Sequence, residues 1–561
     1  SLKNFNTIRG GILKTHSEGA TRPDQEQIFS ERIPDRTGVH PAIQGLNPGK
    51  RSEMDIKNPN IHFEEMRLSK VREMRDAGMT LYPPRFTRTE TVAEIREKYS
   101  EADHEKSEGR VTTAGRLYTV RNHGKTVFAD LGDESGRIQL YIRKNDLGAE
   151  KFGFFTTMVE RGDIIGVSGH VFRTKVGELT IWVDDVTLLT KSVISLPEKF
   201  HGLKDVEKRY RQRYLDLITN EETRETFRTR SRILTLIRKH LTDNGFLEFE
   251  TPILQPVYGG ANARPFTTYH NFLEQKLFMR IAPELYLKRL VIGGYEKVFE
   301  LARNFRNEDI DTQHNPEFSM VEIYEAYRDY NDMMALTEGL VSSLVHDIHG
   351  TYEITYGGNR IDFTPPWKKM SMEDAVREIG GVDIWSYTPE ALRELARQKG
   401  IEGWDLPQNN REFLVLFFEA LVEETLIQPV FIHDFPIENS PLAKRHRSKE
   451  GFTERFELFV CGMELANGFS ELNDPQDQLE RFELQDEKRR AGDLEAQMID
   501  YDFINALGYG MPPTGGVGLG IDRIVMLLTD NVSIKEVILF PQMKSGAERQ
   551  EREEEDPPEQ N

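Results

Sequence analysis

The chain has one cysteine, Cys461, in 561 residues. That excludes a disulfide framework and a cysteine-built zinc site, and it fits a reducing compartment. No stretch approaches the roughly 18 consecutive apolar residues that cross a bilayer, which excludes a membrane span. An acid-poor transit leader is also missing, because Glu18, Asp24, Glu26, Glu31 and Asp35 are mixed among the basic residues near the start. Nothing there looks like a secretory leader, so the expectation is a cytoplasmic protein with no membrane partner. Positive charge is scarce: the formal net charge is −20, whereas a nucleic-acid binder usually advertises a basic surface. Part of that acidity sits in Glu548 to Glu559, with seven acids against Arg549 and Arg552. We read 546–561 as an acidic disordered tail.

What is present is an ordinary globular composition, 38% hydrophobic and 30% charged. Its length favours two or three domains over one. Residues 1–60 are rich in Gly, Pro, Asn and charge without apolar periodicity, and read as a poorly ordered extension. Residues 61–105 read as mostly helical, with Met66, Leu68, Val71, Met74 and Met79 at rough helical spacing. From Val111 to Leu189 short alternating runs recur between Gly-containing turns: 127–131, 138–142, 164–167 and 179–183. About five such strands suit a small closed barrel of the oligonucleotide-binding kind. Phe128 and Gln139 fall on consecutive strands and Glu178 opens a later one. Together they can stack on and read single-stranded bases; alternatively Phe128 is core and the other two are surface.

A basic strip, Lys204 to Arg213, can face a phosphate backbone or serve as a solvated linker (196–215) between domains. Beyond it Phe227, Ile233, Leu234, Leu236, Ile237 and Leu241 recur as on an amphipathic helix. Asn244-Gly245 stops that helix, and Phe246 to Pro252 reads as a strand closed by proline. In Glu296 to Glu308, strand alternation puts Val298, Glu300, Ala302, Asn304, Arg306 and Glu308 on a polar working face, with Phe299, Leu301 and Phe305 opposite. After a loop containing His314, a second strand gives Phe318, Met320, Glu322 and Tyr324 one parity. The pair converges Arg306, Glu308, Glu322 and Tyr324 on one patch. A third hairpin, Glu454 to Leu472, offers Glu457, Glu464, Asn467, Phe469 and Glu471. Glu464 breaks parity with the last three, which predicts a bulge or turn near Gly462 or Gly468. Glu457 and Glu464 are candidates for Mg²⁺, a hard cation that takes carboxylate and phosphate oxygens. Gly515 to Gly520 permits close backbone approach to a ligand, and Arg523 near the start of the next helix can cradle a triphosphate. The glycines are not a dinucleotide fingerprint, because Arg523 stands where the last glycine belongs. Lys369-Met-Ser-Met372 lacks the histidine-glycine partner of a class I synthetase loop.

From about residue 61 to Lys544 the chain resembles the class II lysyl-tRNA synthetases. Three class motifs carry the resemblance: Phe246 to Pro252 after its helix, Arg303 to Phe318, and Gly515 to Arg523. Lysine-type segments at 210–217, 282–289, 440–446 and 467–474 add to them. The resemblance implies an α+β architecture: an OB-fold anticodon-binding domain with its helical lead-in (61–195), then a class II catalytic domain (216–545). That domain is expected to hold a seven-stranded, mainly antiparallel sheet with flanking helices, in a homodimer. The implied substrates are ATP, L-lysine and tRNA-Lys, with Mg²⁺ as cofactor. Arg306 and Arg523 would be catalytic. Arg306, Glu308, His314, Asn315, Phe318, Glu464 and Arg523 would hold ATP, and Glu457 and Glu464 the metal. Gly260, Glu284, Glu322, Tyr324, Asn467, Phe469 and Glu471 would hold lysine, and Phe128, Gln139 and Glu178 the anticodon. Asp309 to Gln313 looks variable and is assigned no role. Three rivals stay open: a sister synthetase for aspartate or asparagine, a ligase acting on a translation factor, and a non-catalytic RNA-binding paralogue.

Overall fold

The computed structural model describes residues 62–197 and 203–544. The expected N-terminal extension and acidic tail lie outside the described residues. The chain forms two compact units, one ending at Ser195 and the other beginning at Leu196.

In the first unit five strands, β1 (Arg110–Asn122), β2 (Thr126–Gly132), β3 (Arg137–Arg143), β4 (Ile164–Arg173) and β5 (Leu179–Thr190), close a barrel in the order β1-β2-β3-β5-β4. Alternation explains the closure: Val127, Ala129, Leu131, Ile138, Leu140 and Ile142 point inward and are buried. The lead-in is less helical than its spacing predicts. Only Glu65–Asp76 and Val92–Lys98 are helices there. Val71 and Met74 are buried, whereas Met66 and Met79 are exposed.

The second unit is built on eight strands where the resemblance implied seven. In sheet order they are β14 (Lys368–Ser371), β15 (Val430–Pro436), β16 (Phe452–Val460), β17 (Met463–Ser470), β18 (Thr514–Gly520), β11 (Glu317–Ala326), β10 (Lys297–Phe305) and β6 (Leu247–Glu248). The six central strands are antiparallel, and both edge strands pair in parallel. The expected strand Phe246 to Pro252 shrinks to β6, because Phe246 turns into the core and Thr251 caps Glu300 instead. Smaller sheets hold β7 (Leu254–Gln255), β8 (Thr267–His270) and β9 (Gln275–Met279), and separately β12 (Glu353–Tyr356) and β13 (Asn359–Asp362).

The helix Glu221–Asp243 buries Ile233, Ile237 and Leu241, one turn apart, against Phe299, Val321, Ile323 and the helix Tyr330–His349. Gly245, at φ +83, ends it in the left-handed conformation that glycine adopts without strain. In the strip 204–213, expected either to face a phosphate backbone or to be a solvated linker, Lys204, Lys208 and Arg211 are exposed, whereas Arg209 and Arg213 are held by acids. The strip forms the helix Val206–Arg211 and enters the next, Arg213–Thr219. Arg209 is bound to Asp216 and Glu536, and the fully buried Arg213 to Asp216. Between β14 and β15 the chain makes a helical lobe whose Phe413, Phe417 and Leu392 share a core with Met370, Ile432 and Phe459 of the sheet. Among the described residues no helix is long and apolar enough to cross a membrane.

Candidate active site

Strand pairing builds the floor of a cavity of about 420 Å³. The register aligns Glu300, Glu322, Gly518, Asn467 and Glu457 in one row across β10, β11, β18, β17 and β16. One step along, Val298, Tyr324, Gly516, Phe469 and Arg455 form a second row. The central strand thus contributes glycines to both rows, and these open a trough between flanking side chains. A Cβ at Gly516 would collide with Glu471 Oε1 and stand 2.6 Å from the Tyr324 ring. One at Gly518 would stand 2.7 Å from Met320 Cε.

Every residue that the sequence analysis assigned to nucleotide, amino acid or metal lines this cavity. Part of the expected polar face does not, however. Val298, Glu300, Ala302 and Asn304 are buried beneath it, with Glu300 bound to Arg280. Arg306 and Glu308 reach the cavity because they lie in the loop after β10. Burial pulls the Arg306 guanidinium pKa down, against the pull of Glu308, Glu464 and Glu322. Its Nε has no partner, and the guanidinium lies 5.0 Å from the Phe318 ring. Asn315 Oδ1 is likewise buried and unpaired.

Arg523 occupies the first turn of the helix Ile521–Leu528. It donates to the Glu464 carbonyl and lies 3.6 Å from that carboxylate. Its Nη2 donates to His314 Nε2 at 3.1 Å, which places the histidine proton on Nδ1, 2.8 Å from Asp311 Oδ2. Asp311 also accepts from the backbone N–H groups of Gln313 and His314. Asp311 falls in the stretch Asp309 to Gln313, to which the sequence attached no role; its signal is a carboxylate three residues before the histidine.

Glu284, Glu322, Tyr324 and Glu471 form a buried acidic wall. Burial, together with the neighbouring Glu284, pushes the Glu322 carboxyl up to about 8, against the hydrogen bond from the Tyr324 hydroxyl at 2.9 Å. The wall also contains a cation. Lys288 Nζ lies 2.5 Å from Glu284 and in ion-pair contact with Glu471. The Glu284–Lys288 spacing on one helix was the visible signal. Gly260, at φ +92, donates its N–H to Gln497 and packs 3.1 Å from Glu284 Cβ, counting a built Cβ.

The hairpin of β16 and β17 turns at Cys461-Gly462, both at positive φ. Its bulge sits at Leu465, where the register slips, rather than at either glycine. That extra residue turns Glu464 to the cavity alongside Asn467, Phe469 and Glu471. Burial pushes Glu457 up to about 8, helped by Glu464 and Glu423 and opposed by Arg455. Glu423 is pushed up to about 7 by burial and by Glu464. Negative charge from Glu464 thus helps to push both Glu457 and Glu423 upward, and carboxylate donors of this kind suit a divalent cation. No cluster of three ligands exists among the described residues, and a cation here would need oxygens from another molecule.

On the barrel, Arg121, Phe128, Tyr141, Trp182 and His170 align across all five strands. Phe128–Tyr141 and Tyr141–Trp182 ring centroids are 5.0 and 4.8 Å apart. Phe128 is therefore an outward plate, and Tyr141 and Trp182 extend it; the analysis missed both, although each falls in a run it identified. Gln139 lies on the same face, accepting from Thr180, whereas Glu178 is exposed before β5 beside Arg96.

Residues 205–544 match the family model described as tRNA synthetases class II (D, K and N), and residues 111–189 match the OB-fold nucleic acid binding domain. The lysine–tRNA ligase of Methanospirillum hungatei is 69% identical over 487 residues, covering 87% of this chain and 96% of that protein. That of Methanoculleus marisnigri is 66% identical, with 86% and 95% covered. That of Nostoc sp. is 52% identical, with 85% and 87% covered.

Proposed function

Because the chain belongs to the class II tRNA synthetases (D, K and N), we infer that it is a lysine–tRNA ligase. The observation that carries this reading is the acidic wall of Glu284, Glu322 and Glu471 in one cavity with Arg306 and Arg523. Lysine brings two ammonium groups, and by likeness Glu284 takes the α-ammonium while Glu322, Tyr324 and Glu471 surround the ε-ammonium. Gly260, Asn467 and Phe469 complete the pocket.

Two transfers follow. A carboxylate oxygen of lysine attacks the α-phosphorus of ATP, the bond to pyrophosphate breaks, and lysyl-adenylate forms. A ribose hydroxyl of the terminal adenosine of tRNA-Lys then attacks the lysyl carbonyl and AMP leaves. Charge gathers on the phosphate oxygens, so Arg306 and Arg523 act by position and charge, with no protein nucleophile. Phe318 stacks on adenine, and Glu308, His314 and Asn315 hold the base and phosphates. Glu457 and Glu464 would hold Mg²⁺, which when bound neutralises phosphate charge. Phe128, Gln139 and Glu178 would meet the anticodon.

A homodimer is supported by apolar side chains left exposed on and beside the first class motif, namely Leu247, Ile253, Leu254, Phe272 and Leu273. The lone Cys461 suits a cytoplasmic enzyme. Amino-acid-dependent exchange of pyrophosphate into ATP, run over a panel of amino acids, tests the reading. Lysine should support exchange and aspartate and asparagine should not. Exchange with either of those instead would end it.

A further inference from the structure

The amino-acid wall contains one cation that its substrate assignment leaves unexplained. Lys288 is fully buried, one helical turn after Glu284. It does not line the cavity; it stands behind Glu284 and Glu471, which do. Its Nζ faces those two carboxylates and, at 5.3 Å, the ring of Phe469. Glu471 is 1% exposed; its Oε2 meets Lys288 Nζ, while its Oε1 has no hydrogen-bond partner. Buried carboxylates with no cation protonate rather than stay charged. Burial does push Glu284 and Glu471 upward, and Lys288 is the largest opposing influence on each.

We propose that Lys288 is a positioning residue for lysine selection, a resident ammonium that keeps Glu284 and Glu471 ionised and aimed into the cavity. The inference rests on the lysine-ligase reading. With it in place, and once lysine binding has displaced the proton that burial keeps on Glu322, three carboxylates and one ammonium leave two negative charges, the complement of the two ammonium groups of the substrate. Without it, one or both carboxyls take up a proton and the match to a diammonium ligand is lost.

The test is lysine-dependent ATP–pyrophosphate exchange by the full chain carrying Lys288→Ala, Lys288→Met or Lys288→Arg. In the Ala and Met variants the KM for lysine should rise about ten-fold or more, while kcat and the KM for ATP change by less than about two-fold. Propylammonium, which replaces the missing atoms, should restore the lysine KM of Lys288→Ala but not of Lys288→Met, whose side chain fills the space. Lys288→Arg, which keeps the charge, should lie closer to wild type than Lys288→Met, and this comparison holds even if the Ala variant does not fold. An unchanged lysine KM, equal changes for lysine and ATP, absence of rescue, or Met performing as well as Arg would each overturn the proposal. Wild-type protein that shows no exchange with lysine would bring down the ligase reading and this proposal together.

Discussion

Buried Glu471 and half-buried Arg306 each keep a buried polar atom without a partner, Oε1 and Nε respectively, and both face the same cavity. Such groups are costly unless a ligand completes them. Glu471→Gln should therefore weaken lysine binding by about 2 kcal/mol, roughly thirty-fold, and leave ATP binding nearly unchanged; equal losses in calorimetric titration would remove its role. Arg306→Ala should lower lysine-dependent exchange at least about a hundred-fold with the fold intact, as read by exchange rate beside circular dichroism. The Glu322 carboxyl, pushed from 4.5 to about 8 by burial, gives a pH signature. Between those values the folded chain keeps the proton while the unfolded chain loses it, so this residue makes stability fall as pH rises through that window. Glu322→Gln should flatten the decline of Tm over the same range. Ammonium binding needs the ionised carboxylate, so lysine uptake at pH 7 should release protons, visible as a dependence of binding heat on the buffer's ionisation enthalpy. Alternation made Glu322 and Tyr324 legible in the sequence. Asp311 and Lys288 were not, because their roles depend on which distant group a loop or helix brings beside them, Arg523 through His314 in one case and Glu471 in the other.

Among the elements, β18 shapes the site by what its side chains lack. Gly516→Ala places a methyl against Glu471 and Tyr324. It should raise the lysine KM more than ten-fold with a smaller effect on ATP, by order of magnitude from the cost of overpacking. Steady-state exchange measures both. The helix Glu221–Asp243 reaches the same region through Arg230, which binds the buried Asp522, while Asp522 also accepts from the Ser319 N–H. Breaking that pair with Asp522→Ala should cost roughly 3 kcal/mol, detectable as a lowered midpoint in denaturant unfolding. Periodicity located the main strands and this helix. It overstated the helices near the start, because the spacing runs on to Met79 whereas the helix ends at Asp76, with Gly78 at positive φ. The parity break of Glu464 pointed to a bulge or turn near Gly462 or Gly468, and the hairpin turns at Cys461-Gly462 while the inserted residue between the two glycines is the apolar Leu465, held by burial at 1% exposure.

At the scale of the whole chain, the net charge of −20 argued against a nucleic-acid partner. A global sum cannot register a local aromatic row. Across the barrel that row carries Arg121 on one side and Lys106 at 3.9 Å over the Trp182 ring. Stacking contributes roughly 1–3 kcal/mol per base, so Trp182→Ala should raise the KM for tRNA about ten-fold. Aminoacylation kinetics would read that change, and ATP–pyrophosphate exchange should stay as in wild type. The barrel and the class motifs were legible from sequence because each is a local pattern; the edge strand β14 at Lys368–Ser371 carries no such pattern and was not. The bulge at Leu465 also bears on how such a chain can drift in length over generations. Loss or gain of one residue beside it would swap inward and outward positions along half of β17 and turn Glu464 away from its work. The connections between helices in the lobe between β14 and β15 have no such alternation to keep. Length variants of this protein should accumulate in the lobe and be purged from the hairpin.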